Sequence, residues 1–387
     1  MGEVTVAGAI ELLKEPRGAI FNSRQGKTPD SGAQWLRFTS EVVKLLTEHK
    51  AAIISSLGMT TWEVVTYLTG ALEGNLIILL PDIEPEAQPK MARSVIEDFA
   101  LDKAKVLFVF PDRETQPEKN YLKLPKKDFW IASMADRIYP VSVRPGGNHT
   151  RILELFNIIP GRVSQKFRID YEKPTGSGFH PEQLPPLVKR EEKDWEYLTH
   201  WTRTSIEPWL KESKAEFYRS MFDRTTGYSH DGYNTLCRIL QDKTIFASDK
   251  LIRGGYKTVS LTEAPVWDIL QQIHWRSPLQ RWTFEPYGIA IRKEKMAEAG
   301  VKKVLYGLDY QYRFCLEEDK PYFQAYDLEG YDWRKEREWR YVGDLNLDQF
   351  EPEDTFVIVK TFDEAEQLGE WSPFPVKYWE MFNENAG

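Results

Sequence analysis

Two carboxylates two residues apart, Glu336 and Glu338, stand in the run Lys335-Glu336-Arg337-Glu338-Trp339-Arg340. On an extended strand successive side chains alternate between faces, so this pair shares one face, and the earlier carboxylate is placed to orient or deprotonate an acceptor beside the later one. Two further polar motifs precede it, Leu198-Thr199-His200-Trp201-Thr202-Arg203 and Val259-Ser260-Leu261-Thr262-Glu263, which offer His200, Arg203 and Ser260. Each has a plainer reading. Asp332 to Arg340 is also good helix sequence, in which Glu336 and Arg340 form a solvated i,i+4 pair. His200 between Thr199 and Trp201 reads equally as a hydrogen-bonded structural histidine, and Ser260 as an ordinary strand residue.

The first half of the chain offers loops. Asn22-Ser23-Arg24-Gln25-Gly26-Lys27 supplies an arginine, a lysine and a flexible glycine. Ser55-Ser56-Leu57-Gly58-Met59-Thr60 links a strand to a helix, where unpaired backbone N–H groups can cradle a phosphate. In Pro145-Gly146-Gly147-Asn148-His149-Thr150 two glycines let the backbone approach a ligand closely, with Arg144 beside them. Taken alone, that glycine pair reads as well as a simple turn. The candidate nucleotide ligands are therefore Asn22, Ser23, Arg24, Ser56, Gly58, Gly146 and Gly147.

Other chemistries lack their residues. His230-Asp231 and His274 have no neighbours at metal-ligand spacing, so no metal is expected. The two cysteines, Cys237 and Cys315, form no C-x-x-C, which argues against a disulfide framework and for a reducing, cytoplasmic setting. Neither a Gly-x-Ser-x-Gly elbow, a P-loop nor a kinase set is present. The charged run Lys189 to Lys193 needs only a solvated surface.

The elements that must position these residues fall in two groups. Apolar runs without polar alternation, Ala19 to Asn22, Ala51 to Ser55, Leu76 to Leu80, Val106 to Phe110, Phe129 to Ala132 and Arg137 to Val141, read as strands covered on both faces. Helical patterns lie between them. Gln34 to Glu48 carries a one-sided apolar stripe, Thr60 or Thr61 can cap a helix running to about Leu72 with Glu63 in its first turn, and Thr150 to Phe156 closes the set. This alternation predicts an α/β domain with an open parallel sheet over residues 1–160. Proline and glycine at Pro174, Gly176, Gly178, Pro181, Pro185 and Pro186 mark a linker over 161–192. Beyond it, mixed runs at Tyr287 to Ile291, Lys303 to Tyr306, Trp339 to Val342 and Thr355 to Lys360 predict an α+β domain over 193–387.

At 387 residues the chain is long enough for two cores, and 13 Trp, 18 Tyr and 20 Phe exclude a disordered polymer. A net charge of -8 argues against broad binding to the nucleic-acid backbone, although a local basic groove is compatible with it. The longest apolar runs are strand-sized, so no membrane span and no export signal are expected.

On the three loops, the first 155 residues or so resemble the Rossmann-type family that includes the DNA-processing proteins and the lysine-decarboxylase-like nucleoside-monophosphate phosphoribohydrolases. The phosphoribohydrolases carry Pro-Gly-Gly-x-Gly-Thr-x-x-Glu, with the glutamate and a separate arginine used in glycosidic cleavage. Here His149 replaces the third glycine and Leu153 the glutamate, while Glu154 is one position late. The resemblance thus implies nucleotide or nucleotide-derivative binding without that hydrolysis.

The three later motifs resemble, in order and type, those of ADP-ribosyltransferases: a His or Arg on one strand, a Ser-Thr-Ser-like strand and a terminal Glu. More narrowly, Trp195 to Leu368 is similar to a bacterial family related to abortive-infection proteins, which shows His-Trp/Tyr-Thr, Ser-Phe/Leu-Thr/Ser and Glu-x-Glu-Trp-Arg. The resemblance implies NAD as substrate, His200 holding its ribose or phosphate, Arg203 as a charge partner and Ser260 positioning Glu338. Breaking the nicotinamide glycosidic bond builds oxocarbenium character on the ribose, which the Glu338 carboxylate stabilises in the transition state. Tyr256 or Tyr287 is then placed to stack on nicotinamide.

The expected protein is a nucleotide-sensing, NAD-dependent ADP-ribosyltransferase, with a role in bacterial phage defence or stress implied by resemblance alone. The alternatives are a regulatory protein that binds nucleotide or partner without breaking a bond, and a nucleotide N-glycosidase acting in the first domain. The acceptor, a macromolecule or a small molecule, and the oligomeric state are left open.

Overall fold

Strands β2 (Arg17–Phe21), β3 (Ala52–Ser55), β4 (Asn75–Leu79) and β5 (Val106–Pro111) are nearly continuous apolar runs, and in this computed structural model they lie side by side in parallel. The structure describes residues 4–29, 32–111, 124–173, 179–223, 227–250, 252–276, 281–326 and 333–383. The chain divides into two compact units, Met1–Gly176 with Glu207–Ser229, and Ser177–Ile206 with His230–Gly387.

The first unit is built on a six-stranded sheet in the order β1-β5-β4-β3-β2-β6, with β6 at Arg137–Pro140 parallel to β2. The antiparallel edge strand β1, Val4–Gly8, is an addition to the strands expected from the sequence. Side chains alternate into two cores. Ile20, Ile53, Ile78 and Phe108 face one, which is covered by α1 (Gln34–Glu48), α2 (Thr60–Ala71) and α3 (Gln88–Asp98). Phe21, Ile54, Ile77 and Leu107 face the other, under α4 (Lys126–Met134) and α5 (Asn148–Phe156). This is the expected open, parallel-dominated α/β sheet with both faces covered. The chain runs from β2 outward through β3 to β5 and then crosses to β6 on the other side of β2. Loops after β2, β3 and β6 therefore gather at a topological switch point, where open α/β sheets form a crevice.

Three local expectations are corrected. Phe129 to Ala132 is not a strand but part of α4, because Asp128, Ile131, Ala132 and then Ala135 are the buried positions, a helical rather than a twofold spacing. Neither Thr60 nor Thr61 caps α2. Met59 holds the N-cap position without a side-chain bond, and the Thr61 hydroxyl points to the Asn22 carbonyl instead. Helix α6, Lys214–Asp223, lies beyond the expected boundary at 193 yet packs in the first unit, its Tyr218 ring 6.0 Å from Tyr67 and 6.1 Å from Phe99. The stretch read as a linker is shared, with Phe167 buried in the first unit and Phe179 and Leu184 in the second. Its Pro174, Gly176 and Gly178 lie outside the described residues.

The second unit contains, in chain order, β7 (Tyr197–Trp201), α7 (Gly232–Asp242), β8 (Thr244–Ile245), β9 (Thr258–Thr262) and α8 (Val266–Ile269). The hairpin β10 (Trp275–Arg276) and β11 (Arg281–Trp282) precedes β12 (Gly288–Arg292) and α9 (Lys293–Glu298). Then come β13 (Lys302–Lys303), β14 (Leu305–Gly307), β15 (Phe323–Ala325) and β16 (Glu338–Val342). Last are β17 (Leu345–Asn346), β18 (Thr355–Val359), α10 (Phe362–Gly369) and β19 (Val376–Tyr378). Seven of the strands form one sheet in the order β13-β16-β9-β7-β12-β18-β19, antiparallel except for the last pair. The run Lys303 to Tyr306, expected as one strand, is broken at buried Val304, whose N–H binds the Glu338 carbonyl. The helical reading of Asp332 to Arg340 fails over its second half, since Glu338–Val342 is a strand with alternating burial; Asp332 itself lies outside the described residues. Among the described residues no helix is long and apolar enough to cross a membrane.

Candidate functional site

Strands β7, β9 and β16 are neighbours in the second sheet, so the three sequence motifs meet. The register sets Ser260 opposite Arg340 and Thr262 opposite Glu338, which puts these four side chains on one face. There the Ser260 hydroxyl donates to Glu338 Oε1 at 2.6 Å. Arg340 Nε and Nη2 grip both oxygens of the same carboxylate, at 2.9 and 3.0 Å. The arginine is 1% exposed, and its other N–H groups reach the Pro321 and Phe323 carbonyls and Gln324 Oε1. The small parallel pair β14–β15 buttresses this arrangement, because Tyr306 and Gln324 are register partners and Tyr306 Oη accepts the Glu338 N–H at 3.0 Å. Glu338 is thus fixed in direction by a hydroxyl and a fork, in a geometry suited to charge-assisted bonding.

His200 is held from the next strand. Its Nδ1 lies 2.9 Å from the Ser260 carbonyl, a pure acceptor, so Nδ1 carries the proton and Nε2 is left as an acceptor. Burial pushes the imidazole down to about 4, with the charge of Arg203 adding to that and the Ser260 bond opposing it. The ring is therefore neutral near pH 7.

These groups line one cavity of about 760 Å³, together with Arg203, Trp275, Arg276, Arg281 and Glu336. Glu336 and Glu338 do not share a strand face as expected. Glu336 ends a short 3-10 turn, Trp333–Glu336, and Arg337 follows with φ +45°, so the chain becomes extended only at Glu338. Both carboxylates nevertheless reach the cavity. Arg203 Nη1 donates to the Thr283 carbonyl at 2.9 Å; burial lowers its pKa, opposed by Glu336 and Glu285. The expected stacking tyrosines are not in the wall. Tyr287 is 8% exposed in the core, its hydroxyl donating to Glu364 Oε1 at 3.0 Å, and Tyr256 bonds to Tyr312. The aromatic faces lining the cavity belong to Trp201, Trp275 and Phe284. Sequence reasoning does not single out Arg276 and Arg281; the flanking tryptophans of Trp275-Arg276 and Arg281-Trp282 are the one local signal for that hairpin.

Behind Arg203 lies Glu285, 2% exposed, accepting from Thr204 N and Oγ1 at 3.1 and 2.9 Å. Burial pushes its carboxyl from 4.5 up to about 7, against the Thr204 bonds and the Arg203 charge. The folded state therefore keeps a proton that the unfolded chain releases, and stability falls as pH rises from about 4.5 to 7. Glu285→Gln is expected to abolish that slope and to raise stability at pH 8 by on the order of 3 kcal/mol. Urea midpoints of wild type and variant at pH 5 and 8 check this; parallel shifts at both pH values would contradict it.

In the first unit most of the expected nucleotide ligands are already engaged by the protein. Asn22, 2% exposed, donates from Nδ2 to Thr39 Oγ1 at 2.9 Å and accepts the Ser142 N–H at 3.1 Å. Ser23 Oγ accepts the Arg144 N–H at 2.9 Å, and Ser56 Oγ donates to the Leu79 carbonyl at 2.7 Å. Gly58 has φ +86°, as a turn glycine should, but its N–H donates to Glu63 Oε1 at 3.0 Å. The same carboxylate binds Lys214 Nζ at 2.7 Å and the Tyr218 hydroxyl at 2.8 Å, so a side chain stands where a phosphate was expected. The loop after β6 differs. Gly146 has φ +66°, Gly147 is the N-cap of α5 without a side-chain bond, and Arg144 and Arg24 are exposed. His149 is buried on Asp128 at 3.0 Å, and Leu153 is in the core with Glu154 outside. Among the described residues no group of three His, Cys, Asp or Glu side chains is arranged to hold a metal ion.

No family model matches the chain, and no curated protein matches it. Solved structures similar to part of it include DNA processing protein A from Helicobacter pylori, described for its single-stranded DNA binding mode, at 15% identity over 43% of this chain and 74% of that one, TM-score 0.31. DNA processing protein A from Streptococcus pneumoniae is 19% identical over 39% of this chain and 51% of that one, TM-score 0.28. The molybdenum cofactor carrier protein from Chlamydomonas reinhardtii is 14% identical over 38% and 74%, TM-score 0.25.

Proposed function

We propose that the second unit binds NAD in its cavity and transfers the ADP-ribosyl group to an acceptor, under control of a nucleotide bound by the first unit. The observation that carries this reading is the convergence of His200, Ser260 and Glu338 from three adjacent strands on one cavity that also holds Arg203, Arg276 and Arg281. It agrees with the roles that the resemblance to ADP-ribosyltransferases implies for these positions.

In this mechanism the bond between ribose C1′ and the nicotinamide nitrogen breaks, and its electron pair leaves with nicotinamide. Glu338 balances the positive charge that grows on the ribose, its direction set by Ser260 and Arg340. His200 Nε2 accepts a hydrogen bond from a ribose hydroxyl. An acceptor oxygen or nitrogen forms the new bond to C1′ and loses its proton to Glu336 or to water. The arginines face the pyrophosphate, and Trp275 stacks on a ring. Regulation by the first unit extends only as far as its ligand prefers one conformational state of the chain over another.

One observation favours a second reading, binding without chemistry: the Glu338 carboxylate is held by a bidentate partner and a hydroxyl, as in a purely structural ion pair. Both readings require binding. Titration with NAD, followed by tryptophan fluorescence, is expected to show saturable quenching, and Arg203→Gln to raise Kd about 10–100-fold, the worth of a charge-assisted bond. An unchanged Kd in that variant would contradict the assignment.

A further inference from the structure

The chain leaves the second unit after Ile206 and re-enters it at His230, and the excursion between them, Glu207–Ser229, belongs to the first unit. Its two ends are pinned together inside the second unit, where the Ser205 N–H donates to the His230 carbonyl at 2.8 Å. The residues around that bond form a neck in the wall of the cavity. Thr202 Oγ1 donates to the Gly232 carbonyl at 3.0 Å, Thr204 donates twice to Glu285, and between them Arg203 lines the cavity. The fit is close, since a Cβ on Gly232 would stand 2.6 Å from Glu285 Oε2. Thr202, His230 and Gly232 are buried, and packing of this kind passes a displacement on rather than absorbing it.

The far end of the excursion holds the loop between β3 and α2. Lys214 Nζ lies 2.7 Å from Glu63 Oε1, the atom that also takes the Gly58 N–H at 3.0 Å, and the Tyr218 hydroxyl donates to Oε2 at 2.8 Å. Helix α6, which carries both donors, is joined to the neck by tightly bonded connections. On the way out, Trp209 and Glu212 close a turn through two bonds, and Ser213 Oγ accepts the Glu216 N–H at 3.2 Å at the start of α6. On the way back, Ser220 Oγ donates to Ser229 Oγ at 2.9 Å, one residue before His230.

A phosphate taken up by the β3–α2 loop needs the Gly58 N–H that Glu63 now holds. Like charges repel, so the carboxylate gives way, and Lys214 and Tyr218 lose the acceptor that seats α6. We infer that Glu63 is a switch: an anion that displaces it unseats the segment Glu207–Ser229 and, through the neck at Ser205 and His230, moves Arg203 away from the place where it meets NAD. This rests on the reading of the first unit as a regulator of the cavity, and it gives that regulation a sign. Occupancy of the first unit lowers the affinity of the second for NAD, and by linkage NAD lowers the affinity of the first for its ligand by the same factor.

The test removes the switch in the full chain and reads the neck by amide hydrogen exchange. Glu63→Gln is expected to speed exchange of the Thr204 and Ser205 amides about fivefold or more, and Tyr218→Phe to speed it less, while the Val357 amide in β18 keeps its rate. Tyr218→Phe leaves no donor orphaned, so it decides alone if Glu63→Gln fails to fold. Val109→Ala weakens the other core of the first unit, away from α6, and is expected to leave both neck amides as they are. Calorimetric titration with NAD is expected to give a Kd about fivefold or more higher in Glu63→Gln than in wild type. Unchanged exchange at the neck in the folded variants, an equal effect of Val109→Ala, or faster exchange with an unchanged Kd each overturns the inference. Absence of NAD binding by wild type overturns the reading of the cavity instead, and exchange at the neck still decides whether Glu63 is connected to it.

Discussion

Replacing Arg340 by leucine is expected to cost the second unit about 3–5 kcal/mol, the range for removing one partner of a buried ion pair. The side chain is 1% exposed, and its donors serve Glu338, two backbone carbonyls and Gln324. The substitution leaves Glu338 with Ser260 as its one remaining side-chain donor among the described residues, and takes the guanidinium donors from the Pro321 and Phe323 carbonyls, both on buried residues. A leucine side chain would fill part of the volume but satisfy none of these groups. Removing both charges, as Glu338→Leu with Arg340→Leu, is expected to recover a large part of the loss, because two apolar groups need no partner. Urea unfolding of the two single variants and the double variant, followed by tryptophan emission, measures the cycle. A loss under about 1 kcal/mol for Arg340→Leu alone would show a guanidinium that water can reach, at odds with its burial.

This energetic weight bears on function. A carboxylate used only for chemistry needs no fork beneath it, whereas one that must point at a single atom of a substrate benefits from it. In the proposed reaction Arg340 and Ser260 are positioning groups for Glu338, and the Arg340 substitution should disturb the cavity as well as the fold.

Much of the scaffold is legible because buried parallel strands are short, apolar and unalternating; β2 to β5 read directly. Phe129 to Ala132 misleads for the same reason, since four consecutive apolar residues carry no period, and the helical spacing appears only when buried Asp128 and Ala135 are included. The catalytic candidates are legible as motifs, and the sheet order places them together. Their detail is not. Whether Glu336 and Glu338 share a face depends on Arg337 at φ +45°, a single left-handed residue that no composition signal marks. Tyr287 and Tyr256 are aromatics near motifs, but the core claims one and a neighbouring tyrosine the other. Arg276 and Arg281 become a cluster only through a hairpin register and the return of Arg203 beside it. At the first unit's loop, Glu63 reads as a favourable first-turn acid, yet its capture of the Gly58 N–H is supported by Lys214 and Tyr218 from a helix far along the chain. Long-range partners of this kind decide whether a glycine loop is open to a ligand.

Glu338→Gln addresses the chemistry with little change of shape. The amide oxygen can still accept from Ser260 or Arg340, while the amide N–H groups meet the donor Nη2 of Arg340, so a modest loss of stability, about 1–3 kcal/mol, should accompany it. Binding of the dinucleotide depends on the arginines and should change less than about threefold. The growing charge on the ribose, by contrast, loses its counter-charge, and removal of one such preorganised group typically slows a reaction about 10²–10³-fold.

The most direct measurement is therefore nicotinamide release from NAD by wild type and by Glu338→Gln, with cell lysate as the source of acceptor and binding measured on the same samples. The account predicts release by wild type and a loss of about 10²-fold or more in the variant, with binding retained. Dinucleotide binding by both proteins without release by either would contradict catalysis and leave a binding unit in its place.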